Sequence, residues 1–215
     1  MKRVLIIANG ELDSETAQRL LTHSVDWLVA VDGGANHCRA LGLVPQLIVG
    51  DLDSLTPETL AHFTQAGIPF ERHPARKDET DLELALLGAV RQGAEHIVLA
   101  GALGGRLDMT VANVLLLMRP ELRQVRVELW ERLSTARLLR PPSDEVHGQP
   151  GDTLSLIPLQ GDVEGLTTAG LAYPLQDETL FFSQARGLSN VFTEPLARIQ
   201  LRAGVLLVIH TSGRA

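Results

Sequence analysis

The chain has 215 residues, of which 45% are hydrophobic and 21% are charged, and its formal net charge is −7. This composition is typical of a globular protein rather than a disordered one, and the length allows one large or two modest domains. The acidic excess argues against a nucleic-acid surface, because affinity for nucleic acid depends on Lys and Arg side chains that neutralise phosphates.

The beginning of the chain gives no sign of export or of membrane insertion. Met1-Lys2-Arg3 is followed by only five apolar residues before Asn9, a run shorter than the hydrophobic region of a secretory signal. The longest nearly apolar run, residues 111–118, is also far shorter than the roughly twenty residues of a membrane span. Cys38 is the single cysteine, which excludes an intrachain disulfide and a cysteine metal cage. We therefore expect a cytoplasmic protein without a membrane partner.

Residues 1–140 alternate short apolar runs with helical patterns. Continuous apolar strands are typical of a parallel sheet that is covered on both faces, so we predict an α/β/α domain here. The predicted strands are residues 4–8, 27–31, 47–49, 97–100 and 125–129, and the predicted helices cover about residues 14–20, 34–41, 57–66, 80–92 and 106–118.

From residue 141 onwards the pattern changes to short alternating segments that are separated by glycine turns. Residues 141–151 begin with two prolines and predict a linker, and Ala203-Gly204 between two strand-like runs indicates a hairpin. No helical pattern occurs in this part of the sequence. We expect a catalytic α/β domain at 1–140 and a small all-β domain at 141–215.

Four polar segments follow predicted strands or begin predicted helices in the α/β part. Ligands of open parallel sheets bind at the carboxyl ends of the strands, so we expect these segments to meet at one edge of the sheet. They are Asp32-Gly33-Gly34-Ala35-Asn36, Gly50-Asp51-Leu52-Asp53-Ser54, Lys77-Asp78-Glu79-Thr80-Asp81 and Gly104-Gly105-Arg106-Leu107-Asp108.

Each segment has a structural as well as a functional interpretation. If its backbone is extended, Asp51 and Asp53 project to one side about 7 Å apart, which suits Mg²⁺, but both could instead form Asx turns. Asp78 and Asp81 either join a site or simply favour the start of a helix. The paired glycines allow close approach to an anion or only a tight turn. Together with Lys77, the four segments predict metal-assisted transfer of a phosphoryl-type group.

In this order the four segments resemble those of the thiamine pyrophosphokinase family, and Gly-Leu-Ser-Asn at 187–190 fits the same family. The resemblance covers nearly the whole chain. It implies an α/β nucleotide domain, a C-terminal β-sandwich, and a homodimer with the active site between subunits. It also implies that the pyrophosphoryl group of ATP is transferred to the hydroxyethyl oxygen of thiamine, with release of AMP.

The resemblance also implies roles for individual residues. Asp51, Asp53 and Asp81 are the expected Mg²⁺ ligands, supported by Asp78 and Asp108. The expected ATP-binding residues are Asp32, Gly33, Gly34, Asn36, Lys77, Thr80, Gly104, Gly105 and Arg106. For thiamine, the resemblance implies Ser189 and Asn190, with Tyr173 as a ring that could stack on it.

The sequence departs from the family pattern in two places. Met109 stands where family members often carry His, and no Trp follows Trp130, although the family tends to stack an aromatic ring on thiamine. Tyr173 or Phe192 could supply this ring, but burial in the sandwich core is the simpler explanation for either side chain. We also interpret His37 as a helix-packing residue and the stripe through residues 111, 115 and 118 as core.

Three other functions remain open at this point. A pterin-alcohol pyrophosphokinase would keep the chemistry and change the acceptor, but the Ser189-Asn190 segment favours thiamine. A nucleotide-sensing module without turnover would not require so many carboxylates. A Mg²⁺-dependent phosphohydrolase lacks a clear nucleophile in this sequence, although water could serve.

Overall fold

The computed structural model describes residues 1–74 and 76–213. The chain divides into two compact units, Met1–Arg132 and Leu133–Ala215. This division lies ahead of the boundary that we predicted after residue 140. The reason is that Ser134–Leu139 forms a strand that pairs with Leu206–Thr211 inside the second unit.

The first unit contains a parallel sheet, as predicted. Its strands are β1 (Arg3–Ile7), β2 (Trp27–Val31), β3 (Leu47–Gly50), β4 (Phe70–Arg72), β5 (His96–Ala100) and β6 (Arg126–Glu131). Their order across the sheet is β6-β5-β1-β2-β3-β4, and every adjacent pair is parallel. The sequence did not indicate β4, because this three-residue edge strand has two exposed residues and no apolar run.

The helices of the first unit are α1 (Ser14–Thr22), α2 (Gly34–Ala40), α3 (Pro57–Gln65), α4 (Asp81–Arg91) and α5 (Leu107–Leu116), and a short 3₁₀ turn covers Pro120–Leu122. Three helices begin with a side-chain cap on a free backbone N–H, as polar N-cap residues favour. Asp13 accepts from Thr16 N, Thr56 from Thr59 N, and Thr80 from Glu83 N.

The core of the first unit lies between the sheet and its helices. Residues of β1 that point to opposite faces are both buried: Leu5 is 2% exposed and Ile6 is 0% exposed. The sheet is therefore covered on both sides. The interpretation of α5 as a core helix was wrong in part, because Val111 and Leu115 are each 51% exposed. This helix instead buries Asn113, whose Nδ2 donates to Ala102 O at 2.6 Å.

The second unit is a sandwich of two antiparallel sheets, which agrees with the predicted all-β class. Its strands are β7 (Ser134–Leu139), β8 (Ser143–His147), β9 (Thr153–Pro158), β10 (Val163–Ala169), β11 (Glu178–Leu180), β12 (Asn190–Val191), β13 (Leu196–Gln200) and β14 (Leu206–Thr211). One sheet has the order β12-β9-β14-β7 and the other β11-β10-β13-β8. Leu154 and Leu206 from the first sheet and Val163 and Ile199 from the second are each 0% exposed in one shared core.

Two predictions for the second unit were wrong. The supposed linker contains β8, which pairs with β13. The supposed hairpin at Ala203-Gly204 does not pair its flanking strands, because β13 belongs to one sheet and β14 to the other. An alternating pattern identifies a strand but not the strand with which it pairs. A turn within a hairpin and a turn that connects two sheets therefore have the same sequence pattern.

Across the described ranges 1–74 and 76–213, we find no helix with the length and apolarity that a membrane crossing requires.

Candidate active site

The four polar segments lie at the carboxyl ends of the parallel strands of the first unit. β1 is flanked by β2 and β5, so the chain first extends the sheet on one side of β1 and later on the other. Such a reversal is the place where open α/β sheets bind ligands. The segments follow β2, β3, β4 and β5 in chain order.

Asp32 lies at the centre of a group of carboxylates. Its Oδ1 accepts a hydrogen bond from Leu52 N at 3.3 Å. Burial, together with the negative charges of Asp81 and Asp51, raises the pKa of Asp32 to about 7. The structure therefore brings together three of the predicted site residues, which arrive from the ends of β2 and β3 and from the start of α4.

Gly50 explains how Asp32 fits at the end of β3. Gly50 has φ +145°, and a Cβ atom at this position would lie 1.7 Å from Asp32 Oδ1. Only glycine leaves room for the carboxylate here.

The backbone of the Asp51–Asp53 segment is not extended, which corrects one of our expectations. Leu52 has φ 69°, and Asp51 Oδ1 accepts from Asp53 N at 3.1 Å, which is the Asx-turn alternative. Asp53 is exposed, and its Oδ1 accepts from Ser54 Oγ at 2.9 Å. The two carboxylates are thus not presented side by side by an extended strand: Asp51 lies near Asp32, whereas Asp53 lies at the surface.

The glycines of the loop at residues 32–36 pack closely against the end of β1 and the residues that follow it. A Cβ atom at Gly33 would lie 1.9 Å from Asn9 Oδ1, and one at Gly34 would lie 2.0 Å from Ile7 O. The glycine pair therefore lets α2 begin against the end of β1. Asn36 Nδ2 donates to Ser54 O at 2.9 Å, and its Oδ1 accepts from Thr56 N at 3.1 Å.

The Lys77–Asp81 segment places a cation against the carboxylate group. Lys77 Nζ lies 2.9 Å from Asp81 Oδ1, and these side chains are only 12% and 14% exposed. Lys77 Nζ also donates to Pro74 O at 3.1 Å. Thr80 caps α4, and Asp78 is exposed.

The Gly104–Asp108 segment presents an exposed ion pair. Arg106 donates from Nε to Asp108 Oδ1 at 3.1 Å and from Nη2 to Asp108 Oδ2 at 2.6 Å. These hydrogen bonds hold the pKa of Asp108 below its usual range. Their side chains are 75% and 65% exposed, so Arg106 remains accessible to an anion from solvent. Gly104 and Gly105 both have positive φ angles in the preceding turn.

Sequence reasoning missed the segment that follows β1, Asn9-Gly10-Glu11. Gly10 N donates to Gly101 O at 2.6 Å and Glu11 N to Leu103 O at 3.2 Å, so this segment supports the loop after β5. His37, which we interpreted as a packing residue, contacts the same segment through Nε2 and Gly10 O at 2.9 Å. Its position in the sequence could have indicated this segment, because it directly follows the first strand of a predicted parallel sheet.

The cluster of Asp32, Asp51 and Asp81 offers the kind of ligands that suit a Mg²⁺ ion. Within residues 1–74 and 76–213, no group of three or more His, Cys, Asp or Glu side chains is already arranged to hold a metal ion. Carboxylate oxygens are nevertheless the ligands that Mg²⁺ prefers, and Lys77 is paired with only one of the three carboxylates. Burial and the charges of Asp81 and Asp51 raise the pKa of Asp32, and a bound cation would offset the repulsion among these carboxylates. The residues present therefore fit this ion.

In the second unit, Tyr173 and Asn190 contact each other. Asn190 Oδ1 accepts from Tyr173 N at 3.0 Å, and its Nδ2 donates to Tyr173 O at 2.7 Å. The Tyr173 side chain is 71% exposed, which contradicts the core interpretation, whereas Phe192 is 1% exposed and is core. Phe192 therefore cannot stack on a ligand. Ser189 is exposed, and its backbone N donates to Ser155 Oγ at 3.0 Å.

These features define a two-unit protein with a parallel α/β part, a carboxylate-rich site at its strand ends, and an antiparallel sandwich. The sequence matches the thiamin pyrophosphokinase catalytic domain over residues 18–129 and the thiamin pyrophosphokinase vitamin B1 binding domain over residues 140–206. The chain therefore belongs to the thiamin pyrophosphokinase family.

Individual relatives agree with this assignment. The chain is 25% identical to thiamine pyrophosphokinase of Bacillus subtilis (strain 168) over 213 residues, which are 99% of this chain and 100% of that protein. A crystal structure of a thiamin pyrophosphokinase family protein from Enterococcus faecalis is 32% identical, with a TM-score of 0.83 over 99% of this chain and 100% of that one. The crystal structure of the Bacillus subtilis thiamine pyrophosphokinase shares the fold with a TM-score of 0.90 at 24% identity, over 98% and 99% of the two chains.

Proposed function

We propose that this protein is a thiamine pyrophosphokinase, which transfers the pyrophosphoryl group of ATP to the hydroxyethyl oxygen of thiamine and releases AMP. One observation carries the proposal: Asp32, Asp51 and Asp81 converge, with Lys77, at the strand ends of a chain that belongs to this family. Positioning and charge neutralisation make up most of the catalysis in such transfers, and this group of residues supplies both.

In the proposed reaction, the thiamine hydroxyl oxygen attacks the β-phosphorus of ATP in line. The new O–P bond forms as the bond between the β-phosphorus and the oxygen of AMP breaks, and a carboxylate of the site accepts the hydroxyl proton. Lys77 and Arg106 bind phosphate oxygens. Arg106 is suited to this role because its guanidinium is exposed.

Mg²⁺ is part of the proposal, held by Asp51, Asp53 and Asp81 with support from Asp78 and Asp108. When bound, it would offset negative charge on the triphosphate and on the AMP leaving group. Of these ligands, Asp51 and Asp81 lie beside Asp32, and Asp53 offers an exposed carboxylate from the same loop as Asp51.

Thiamine would contact the second unit through Ser189, Asn190 and Tyr173. An exposed aromatic ring is suited to stack on a flat cationic heterocycle, and Tyr173 is 71% exposed. A homodimer with the active site between subunits and a cytoplasmic location complete the proposal. The homodimer rests on the resemblance to the family, and the location rests on the composition and the short apolar runs of the sequence.

Product analysis tests the proposed function. The purified protein is incubated with ATP, Mg²⁺ and thiamine, and the products are separated by chromatography and identified by mass. We expect AMP and thiamine diphosphate in equal amounts. ADP or free phosphate in place of AMP would contradict the proposed transfer, and bound ATP without any product would instead indicate a nucleotide sensor. A pterin alcohol offered in place of thiamine tests the alternative acceptor.

A further inference from the structure

The loop at residues 51–56, here called the acidic loop, is held by side chains that lie outside it. Asp32 Oδ1 accepts from Leu52 N, and the side chain of Asn36 contacts Ser54 and Thr56. The loop contains a left-handed residue, Leu52, with φ 69°. Because the like charges of Asp51 and Asp32 also repel, this loop needs such contacts to keep its conformation.

Asn36 joins the acidic loop to a firmly placed helix. Its Nδ2 donates to Ser54 O at 2.9 Å and its Oδ1 accepts from Thr56 N at 3.1 Å, so the amide bridges two backbone groups. Asn36 itself lies in the first turn of α2, which begins in close contact with the end of β1 at Gly34. Thr56 in turn caps α3. The position of the acidic loop is thereby fixed relative to two helices and the sheet.

We propose that Asn36 is a positioning residue that keeps Asp51 beside Asp32 and Asp81, and that it is not a ligand of the nucleotide. This revises the ATP-binding role that the sequence resemblance implied for Asn36, and it rests on the proposed function. The amide binds the acidic loop through both of its polar atoms, so we expect its contribution to ATP binding to be made through Asp51.

The chain offers a matched control in Gln46. Its Oε1 accepts from Leu28 N at 2.6 Å and its Nε2 donates to Val44 O at 3.4 Å, so this amide also bridges two backbone groups. Gln46 lies before β3, at the opposite end of the strand from the acidic loop. Asn36→Ala and Gln46→Ala therefore remove similar bonds from the same unit, and only the first variant frees the acidic loop.

The first measurement is hydrogen exchange at Leu52 N and Asp53 N in the full-length protein. Asn36 contacts neither amide, so a change reports on the loop as a whole. We expect Asn36→Ala to speed exchange at both amides about tenfold, the effect of weakening one ordering contact, and Gln46→Ala to leave them unchanged. Unchanged exchange in Asn36→Ala would overturn the proposal.

The second measurement is ATP affinity by calorimetry in the presence of Mg²⁺, in a double-mutant cycle with Asp51→Asn. If Asn36 acts through Asp51, Asn36→Ala weakens binding about tenfold in the natural chain and less than twofold in the Asp51→Asn background. Equal effects in both backgrounds would mean a direct nucleotide contact and would overturn the proposal. Failure of the wild-type protein to form thiamine diphosphate would refute the proposed function alone, because exchange and binding are measured without turnover.

Discussion

Asp51 has two roles in the site, a hydrogen bond within its own loop and an electrostatic effect on Asp32. Its Oδ1 accepts from Asp53 N, and its charge adds to that of Asp81 in raising the pKa of Asp32. An Asn at this position keeps the shape and the hydrogen-bond acceptor but removes the charge. The substitution therefore separates the fold of the loop from its electrostatic role.

We predict that Asp51→Asn lowers turnover about 100-fold or more, because one charged group is lost from a site that works by electrostatics. The free energy of unfolding should not fall, since the substitution also relieves repulsion between carboxylates. Turnover is measured as AMP release and stability by urea titration. Glu58→Gln, an exposed residue in the first turn of α3, serves as the control. A near-normal rate in Asp51→Asn would contradict the metal-ligand assignment.

Glu128 is a buried carboxylate of the first unit that lies away from the predicted site segments. Burial by itself would raise its pKa, but the nearby His96, a hydrogen bond from Trp130 and the charge of Arg126 lower the pKa to about 2. Trp130 Nε1 donates to Oε2 at 3.1 Å and Arg126 Nε to Oε1 at 2.7 Å. Arg19 of α1 and His23, the residue that follows this helix, also interact with this charge.

We predict that Glu128 makes the fold sensitive to acid. Because its folded pKa of about 2 lies below the ordinary value of 4.5, the charged carboxylate stabilises the fold fully above pH 4.5 and loses this effect as the pH falls toward 2. The difference corresponds to about 3 kcal/mol of unfolding free energy. Glu128→Gln should lower stability at pH 7 and flatten its dependence between these pH values in urea titrations.

Glu121→Gln is the comparison for this prediction, since Glu121 pairs with Arg119 at the surface, where an ion pair contributes little. If both variants retained the wild-type pH profile, the acid sensitivity would have to come from other carboxylates.

Helix α4 contains a glycine, Gly88, at a position where the backbone conformation and the neighbouring atoms would also allow a larger residue. Gly88 lies inside the helix, and a Cβ atom there would meet only Arg91 Nη2, at 3.7 Å. The residue also lines a cavity of about 210 Å³ beside Leu84 and Val29. Gly93, just beyond the helix, is different, because its φ of +79° is strained for any other residue.

We predict opposite effects for alanine at these two positions. Gly88→Ala should raise the free energy of unfolding by about 1 kcal/mol, because glycine in a helix interior is less favourable than alanine by that amount. Gly93→Ala should lower it by about 1 kcal/mol, because alanine pays for the left-handed conformation. Urea titration measures both. A loss of stability in Gly88→Ala would show that α4 cannot accept even one methyl group on this face.

The local elements that could be predicted from sequence are those with a strong pattern. The five strand runs and five helices of the first unit follow from apolar continuity, helical spacing and cap residues such as Thr56 and Thr80. The failures concern information that is not local. Whether the apolar face of α5 meets a partner, and whether β13 pairs with β14, depend on the neighbours that the chain brings together.

The same limit applies to the site. Its location followed from the placement of polar segments after strands, and the convergence of Asp32, Asp51 and Asp81 agrees with that expectation. The contacts that individual residues make in the folded chain could not be predicted from the sequence. The predicted ATP-binding roles of Gly34 and Asn36 stay predictions, and the structure adds that Gly34 packs closely against Ile7 O and that Asn36 bridges two backbone groups.

At the scale of the whole molecule, each unit contains a core with a phenylalanine that is almost completely buried. Phe63 of α3 is 0% exposed in the first unit, and Phe192 is 1% exposed in the second. Phe63 belongs to the cluster with Leu5 and Ile48, and Phe192 to the cluster with Leu154 and Val208. The two side chains therefore report on separate cores.

We predict that Phe192→Ala costs about 3–5 kcal/mol and acts mainly on its own unit. Hydrogen exchange should quicken at amides of β9 and β14 while the amides of β1 and β5 keep their protection. Phe63→Ala should give the reverse pattern. Equal loss of protection in both units from either variant would mean that the two cores unfold together.

The pairing of β7 with β14 has a consequence for synthesis on the ribosome. Leu139, at the end of β7, pairs with Leu206, about 70 residues later in the chain. At about 5–20 residues per second, β7 is complete roughly 4–14 seconds before this partner exists. During that interval its open edge is exposed to other nascent chains. Arg137, in the middle of β7, is buried in the folded unit, where it pairs with Asp144 of β8, a strand that is made directly after β7.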